Sequence, residues 1–151
     1  DARAEEKAAA VAAVVPSGDT VVALSAHIEE EASRLDAADR AELLEGFGLG
    51  EGALARVVRA TYDALHLLTY YTSGPKEVHA RTVRRGASAR EAAGKIHSDM
   101  ERGFIRAEIA RAEEVAAAGG WDAAKAAGKV RVEGRDYVIA EGDVMVVRFS
   151  V

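Results

Sequence analysis

Apolar positions at intervals of three and four dominate the first 66 residues, and alternation takes over afterwards. Glu5 to Val15 reads as the end of an amphipathic helix, stopped by Pro16-Ser17-Gly18. Val21-Val22-Ala23-Leu24 is too short for a helix and is bounded by turn residues, the pattern of a buried strand over 21–25. Ser25 follows and can cap a helix from His27 to Leu35, whose Glu29, Glu30 and Glu31 lie near the positive end of the helix dipole. Asp36 caps a second short helix, broken up by Gly46 and Gly48. A third, from Gly52 to His66, gathers Leu54, Val57, Val58, Tyr62, Leu65 and, just beyond it, Leu68 into an apolar stripe that needs a partner surface. His66 at its end favours the negative pole of the dipole.

From Leu67 the period changes. LTYYTSG and KEVHARTV are aromatic and β-branched segments around Ser73-Gly74-Pro75, which predicts a hairpin. Tyr70 and Tyr71 are adjacent on a strand, so one of them faces inward. Ser88-Ala89-Arg90-Glu91 is a capping box opening a helix over Ala89 to His97. FIRAEI is a strand and Trp121 to Ala127 a short helix whose Trp121 anchors it in the core. KVRVEG, DYVIA and VMVVRFS are closing strands, with a tight hairpin turn at Gly142-Asp143. Hairpin, capped helix and several strands in about 85 residues predict a β-grasp-like (ubiquitin-like) α+β domain. The Gly46 to Gly52 stretch is a hinge between it and an N-terminal piece.

Composition narrows the class. A chain of 151 residues, 49% hydrophobic and 30% charged, has material for one or two small cores. No apolar run is long enough to span a bilayer, and the acidic start does not resemble a signal peptide, so a cytoplasmic protein is expected, with neither membrane nor DNA as a partner. The absence of cysteine excludes disulfides and thiolate metal sites. The chain opens on Asp rather than Met, inside a helical pattern, as the C-terminal piece of something longer would.

Net charge is −5, yet Lys76 to Arg106 holds eight basic residues against four acids, +4 locally against −9 elsewhere. Such asymmetry can attract RNA, and Lys76, Arg81, Arg84, Arg85, Arg90, Arg102 and Arg106 are the candidate contacts to RNA or a ribosome. His97, Asp99 and Glu101 sit at alternate positions like a metal or catalytic cluster. The capping box instead puts His97 at a helix end and the cluster at a corner, where a hydrogen bond to Asp99 or to backbone is the expected role. No Ser/His/Asp or paired-carboxylate arrangement stands out, so no catalytic residue and no metal ligand is expected.

Three ordered blocks, LLTYYTSGPKEVHARTV, AREAAGKIHSDMERGFIRAEI and AAKAAGKVRVEGRDYVIAEGDVMVVRFSV, resemble the TGS-type C-terminal domain of the YchF/Obg-like ATPase family. VVALSAHIEEEASRLD resembles the end of that family's nucleotide-binding domain, and LLEGFGLGEGALARVVRATYDALHLLTYY the connection between domains. The resemblance implies residues 1–50 as the end of a P-loop α/β domain, with strand 21–25 its remaining strand. It makes 51–66 a connecting helix and 67–151 a TGS-like β-grasp domain. For the whole protein it implies a translation-factor-type hydrolase that prefers ATP, works with Mg²⁺ and associates with ribosomes. This chain has no G-x-x-x-x-G-K-[ST] and no Asn-x-x-Glu-type base-reading motif, so no cofactor is expected to bind it alone and it should not hydrolyse ATP.

Ser25 and Ala26 resemble the motif whose backbone approaches the base, with His27 where the family commonly has Lys. The residues themselves describe Ser25 better as a plain N-cap than as a ligand contact. His79 and Arg81 stand where the family usually has Arg and Trp, and Met100 replaces an aromatic, which moves any RNA contact toward electrostatics. A noncatalytic reading also follows, in which the module packs on its own upstream ATPase domain and relays nucleotide state.

Overall fold

The computed structural model describes residues 2–15, 20–74 and 77–150, and the chain divides into two units between Leu65 and His66. The predicted stop at Pro16-Ser17-Gly18, Pro75 of the predicted turn, Lys76 and the terminal Val151 lie outside the described residues.

In the first unit, capping sets the helix boundaries. Four helices run Ala2–Ala12 (α1), Ala26–Ser33 (α2), Ala37–Gly46 (α3) and Ala53–Ala64 (α4). The Asp36 carboxylate accepts from the Ala38 and Asp39 amides at 3.0 Å each, so α3 begins where the sequence predicts. Gly52 precedes α4 at φ 90°, a backbone that a side chain would strain, and the Ala53 amide donates to Glu29 Oε1 at 2.6 Å. A carboxylate 24 residues upstream therefore does the capping that Gly52 cannot. Ile28, Ala32 and Leu44 form a small core.

Residues 20–25 are not a strand. A strand exists through its ladder of backbone hydrogen bonds, and among the described residues this unit offers only helices. The apolar run is correspondingly half-buried, with Leu24 exposed.

His66 opens the second unit in the left-handed region, at φ 53°. Its carbonyl accepts from the Arg85 amide at 2.7 Å, which holds the unusual backbone at the base of the hairpin. A five-stranded sheet follows, built from Leu67–Ser73 (β1), Val78–Arg84 (β2), Phe104–Arg111 (β3), Arg131–Glu133 (β4) and Asp143–Phe149 (β5), in the order β2-β1-β5-β3-β4. The central pair β1–β5 is parallel and the other pairings are antiparallel. Helices α5 (Ala89–Gly94) and α6 (Ser98–Arg102) join β2 to β3, and α7 (Ala112–Ala118) and α8 (Trp121–Ala126) join β3 to β4.

The core lies between one sheet face and α5, where Ala89, Ala92 and Ala93 meet Leu68, Tyr70, Val83, Ile109 and Met145. Alanine on the helix lets the sheet's larger side chains approach its backbone. Tyr70 is wholly buried and its hydroxyl donates to the Ala92 carbonyl at 2.7 Å. Burial pushes the phenol up to about 12, partly offset by Arg81. The neutral phenol's contribution is therefore complete below the unfolded-state pKa of about 10 and is lost as pH rises from there toward about 12. That amounts to about 3 kcal/mol. Urea midpoints of the wild type should fall across this window, and Tyr70→Phe should flatten that part of the profile.

Three local readings change. The capping box forms as expected, with Ser88 Oγ accepting from the Glu91 amide at 3.3 Å and Glu91 accepting from the Ser88 amide at 2.7 Å. The helix nevertheless ends at Gly94, and extended His97 starts α6 as its N-cap rather than ending α5. DYVIA forms only a single bridge, Val138 to Ser88. It reaches Ala87 and Ala89 through two further backbone bonds, but that partner turns into α5 at once, so no ladder propagates. The Gly142-Asp143 turn therefore closes no hairpin and delivers the chain into β5 beside β1 and β3.

Candidate functional site

Two regions hold the residues singled out in the sequence. In the first unit, a cleft of about 470 Å³ is bordered by Leu24, Ser25, Gly48, Gly50, Arg56 and Arg59. Ser25 is the N-cap of α2, its Oγ accepting a long 3.4 Å bond from the Ile28 amide. Ala26 is the first residue of the helix and exposed, and helix geometry leaves its amide without an intrahelical acceptor. At the cleft's edge Arg59 forks onto Glu51, at 2.5 Å and 2.9 Å. His27 is exposed and lies 3.4 Å from Glu31.

In the second unit the described arginines separate by sheet face. Side chains of β1 alternate, so Tyr70 enters the core and Tyr71 faces the other way. Arg81 pairs across from Tyr70 on the core side and donates to Thr72 Oγ1 and to the Lys95 carbonyl, both at 3.2 Å. Arg90 donates to the Glu101 carbonyl at 3.2 Å, and Arg102 forms an ion pair with Asp99. Arg85 holds the Leu67 carbonyl at 3.3 Å. Arg84 pairs across from Leu67, on the face opposite the core, and is exposed. Arg106 is also exposed on that face. The basic segment is thus not one patch. Several of its members are occupied in holding α5 and α6.

The His97, Asp99 and Glu101 group is a corner. His97 Nδ1 accepts from the Asp99 amide at 3.1 Å, so this nitrogen cannot also donate to the Asp99 carboxylate 3.4 Å away. No group of three metal-ligating side chains occurs among the described residues.

Two buried carboxylates escaped the sequence reading. Asp143, fully buried, accepts from Arg111 (3.1 Å), the Tyr137 hydroxyl (2.9 Å) and the Ala140 amide (2.9 Å). Burial, followed by the Asp143 carboxylate, raises the pKa of Tyr137. Glu108 sits between Lys125 at 3.0 Å and Arg148 at 3.3 Å, and the Lys125 hydrogen bond leads in holding its carboxyl below the usual range. Asp143 is in phase with Met145 and Val147 of β5, the only signal its sequence offers, whereas Glu108 shares its phase with Arg106 and carries none.

A five-stranded mixed sheet with helices on its connections makes the second unit an α+β domain, preceded in the chain by a separate helical unit. Residues 67–150 match the family model YchF-GTPase_C, described as a protein of unknown function (DUF933). The chain is 48% identical over 134 residues to the ribosome-binding ATPase YchF of Haemophilus influenzae, covering 89% of this chain and 37% of that protein. It is 47% identical over 131 residues to the Bacillus subtilis protein of the same name, covering 87% and 36%. Human Obg-like ATPase 1 is 40% identical over 133 residues, covering 88% and 33%. The solved structure of the Schizosaccharomyces pombe YchF GTPase superposes with a TM-score of 0.72 at 31% identity, over 87% of this chain and 34% of that one. The chain belongs to the YchF/Obg-like ATPase family and corresponds to a C-terminal part of it, spanning little more than a third of the bacterial relatives' length.

Proposed function

We propose that this chain is the C-terminal part of an ATP-hydrolysing, ribosome-associated cytoplasmic protein, and that its second unit is a TGS-type β-grasp domain contacting the ribosome through RNA. The sheet order supports the domain type, because first and last strands lie parallel at the centre with β2 and β4 at the edges. On this reading residues 1–50 end a P-loop domain, 51–66 connect and 67–151 form the contact module. The observation that carries the proposal is the excess of basic residues between 76 and 106 in an otherwise acidic chain, with Arg84, Arg90 and Arg106 exposed.

Nucleotide belongs to the whole protein. Ser25 and the exposed Ala26 beside an open cleft fit the base end of ATP, and no phosphate loop is present in this sequence to hold the phosphates or Mg²⁺. When bound, the Mg²⁺-nucleotide would supply the hydrolysable phosphoanhydride. This chain's share would be to border the base.

Ribosome pelleting tests the contact. Retention should fall steeply with salt, and Arg84, Arg85 and Arg90 changed together to Glu should weaken it at least tenfold at low salt. If those three arginines contact phosphates of unpaired RNA, their share alone amounts to about 20-fold between 50 and 200 mM salt. Undiminished binding by the folded triple variant would reject these contacts. A second reading, packing on the upstream ATPase domain, draws on one feature. The apolar stripe of α4 leaves Leu54 72%, Val58 47% and Leu65 56% exposed.

A further inference from the structure

A β-bulge governs what the outer face of the sheet presents. Phe104 pairs with Phe149 and Arg106 with Arg148, so two steps on β3 match one on β5 and Ile105 is the extra residue. Without that insertion Phe104 and Arg106 would share a face. With it, Phe104 joins the core while Arg106 points to the opposite side, together with Glu108. Arg106 then stands directly across from Arg148, and like charges so opposed work against strand pairing. Lys125 of α8 reaches the same spot. Glu108 takes both Lys125 and Arg148, while the Arg106 side chain on the same face makes no hydrogen bond or ion pair among the described residues.

An apolar groove of about 280 Å³ lies on the same face. Its walls include Tyr71, Val144, Val115 and Trp121. Trp121 and Lys125 are four residues apart on α8 and so share one side of that helix. Along β5, Val144 in the groove and Arg148 in the basic cluster also differ by four residues, about 13 Å of strand. Aromatic walls beside a cationic row are what a single strand of nucleic acid uses, a base resting against the ring and the adjoining phosphates on the arginines.

We infer that the outer face of this sheet is a single-stranded RNA site, in which the Tyr71–Trp121 groove takes one unstacked base and Arg106, Arg148 and Lys125 take the neighbouring phosphates. This rests on the RNA-contact reading above and moves its centre away from Arg81, Arg90 and Arg102, which lie around α5 and α6 on the core side of the sheet.

Trp121 is the chain's only tryptophan, so its fluorescence reports groove occupancy without any substitution. Titrating the full chain with hexauridylate should quench Trp121. Labelled hexauridylate followed by anisotropy should bind at least tenfold more weakly to Arg106→Glu, an exposed change that should leave the melting transition in place. Trp121→Ala should weaken binding about tenfold if it remains folded, and the wild-type quenching stands in if it does not. Binding that leaves Trp121 emission and the Arg106→Glu affinity unchanged would overturn the site while the ribosome contact still registers in pelleting. Equal displacement by polyglutamate would overturn it in favour of an acidic peptide surface. Failure to bind either ribosomes or hexauridylate would remove the broader reading and this site with it.

Discussion

Asp143→Ala should cost the second unit about 3 to 5 kcal/mol, a large fraction of the stability of a domain this size. Asp143 is the first residue of β5, opposite Arg111 at the end of β3, and its side chain is wholly buried. Removing the carboxylate takes the acceptor from three donors at once: the Tyr137 hydroxyl, the Ala140 amide and the Arg111 guanidinium, the last partly exposed and able to turn to water. The Arg131 side chain, which donates to the Tyr137 oxygen at 3.1 Å, loses its indirect anchor too. An uncompensated buried donor costs more than the hydrogen bond it made. Asp143→Asn keeps an acceptor for part of this network and should cost about 1 to 2 kcal/mol. Urea unfolding of both variants checks the order. Tyrosinate absorbance gives a second readout, because removing the Asp143 charge should lower the pKa of Tyr137 in the folded alanine variant.

The elements that could be read in advance are those whose signals are local. Asp36 and Ser88 announced α3 and α5 because capping is chemistry between residues two or three apart. The alternation of Leu67 to Ser73 announced β1 and fixed that only one of two adjacent tyrosines could be inside. Residues 21–25 show the limit. Four apolar residues specify burial but not a ladder, and a strand needs a neighbour that this unit's described residues do not provide. Helix α7 was missed because an alanine-rich run ending in Gly119-Gly120 carries little hydrophobic period. Likewise, the linear charge count picked out Lys76 to Arg106 and passed over Lys125 and Arg148, which join Arg106 only through sheet register and a bulge. Spatial charge is a property of pairing, and a window along the chain cannot sum it.

Gly103→Ala should be among the most damaging single-methyl additions available in this chain, costing at least about 3 kcal/mol, while the same change at Gly94 should be mild. Both glycines belong to the α5–α6 corner, and neither has a left-handed backbone, so conformational freedom does not distinguish them. What differs is the neighbour. A Cβ on Gly103 would lie 1.8 Å from the Ser150 carbonyl oxygen and 2.8 Å from its carbon. That carbonyl cannot step aside cheaply, because the Ser150 amide donates to the Gly103 carbonyl at 3.0 Å and the adjacent Phe149 pairs with Phe104. Relief would require separating the end of β5 from the start of β3, next to the bulge that orients Arg106. A Cβ on Gly94 would meet the Glu101 carboxylate at 2.5 Å and the Glu101 Cβ at 3.3 Å, side chain rather than backbone, so rotation of Glu101 with a small shift relieves the contact for about 1 kcal/mol. Thermal melts of the two variants should therefore separate by about 10 °C or more for a unit of this length. Equal melting temperatures would show that the β5 terminus yields freely, and the bulge would then lose its claim to hold Arg106 in place.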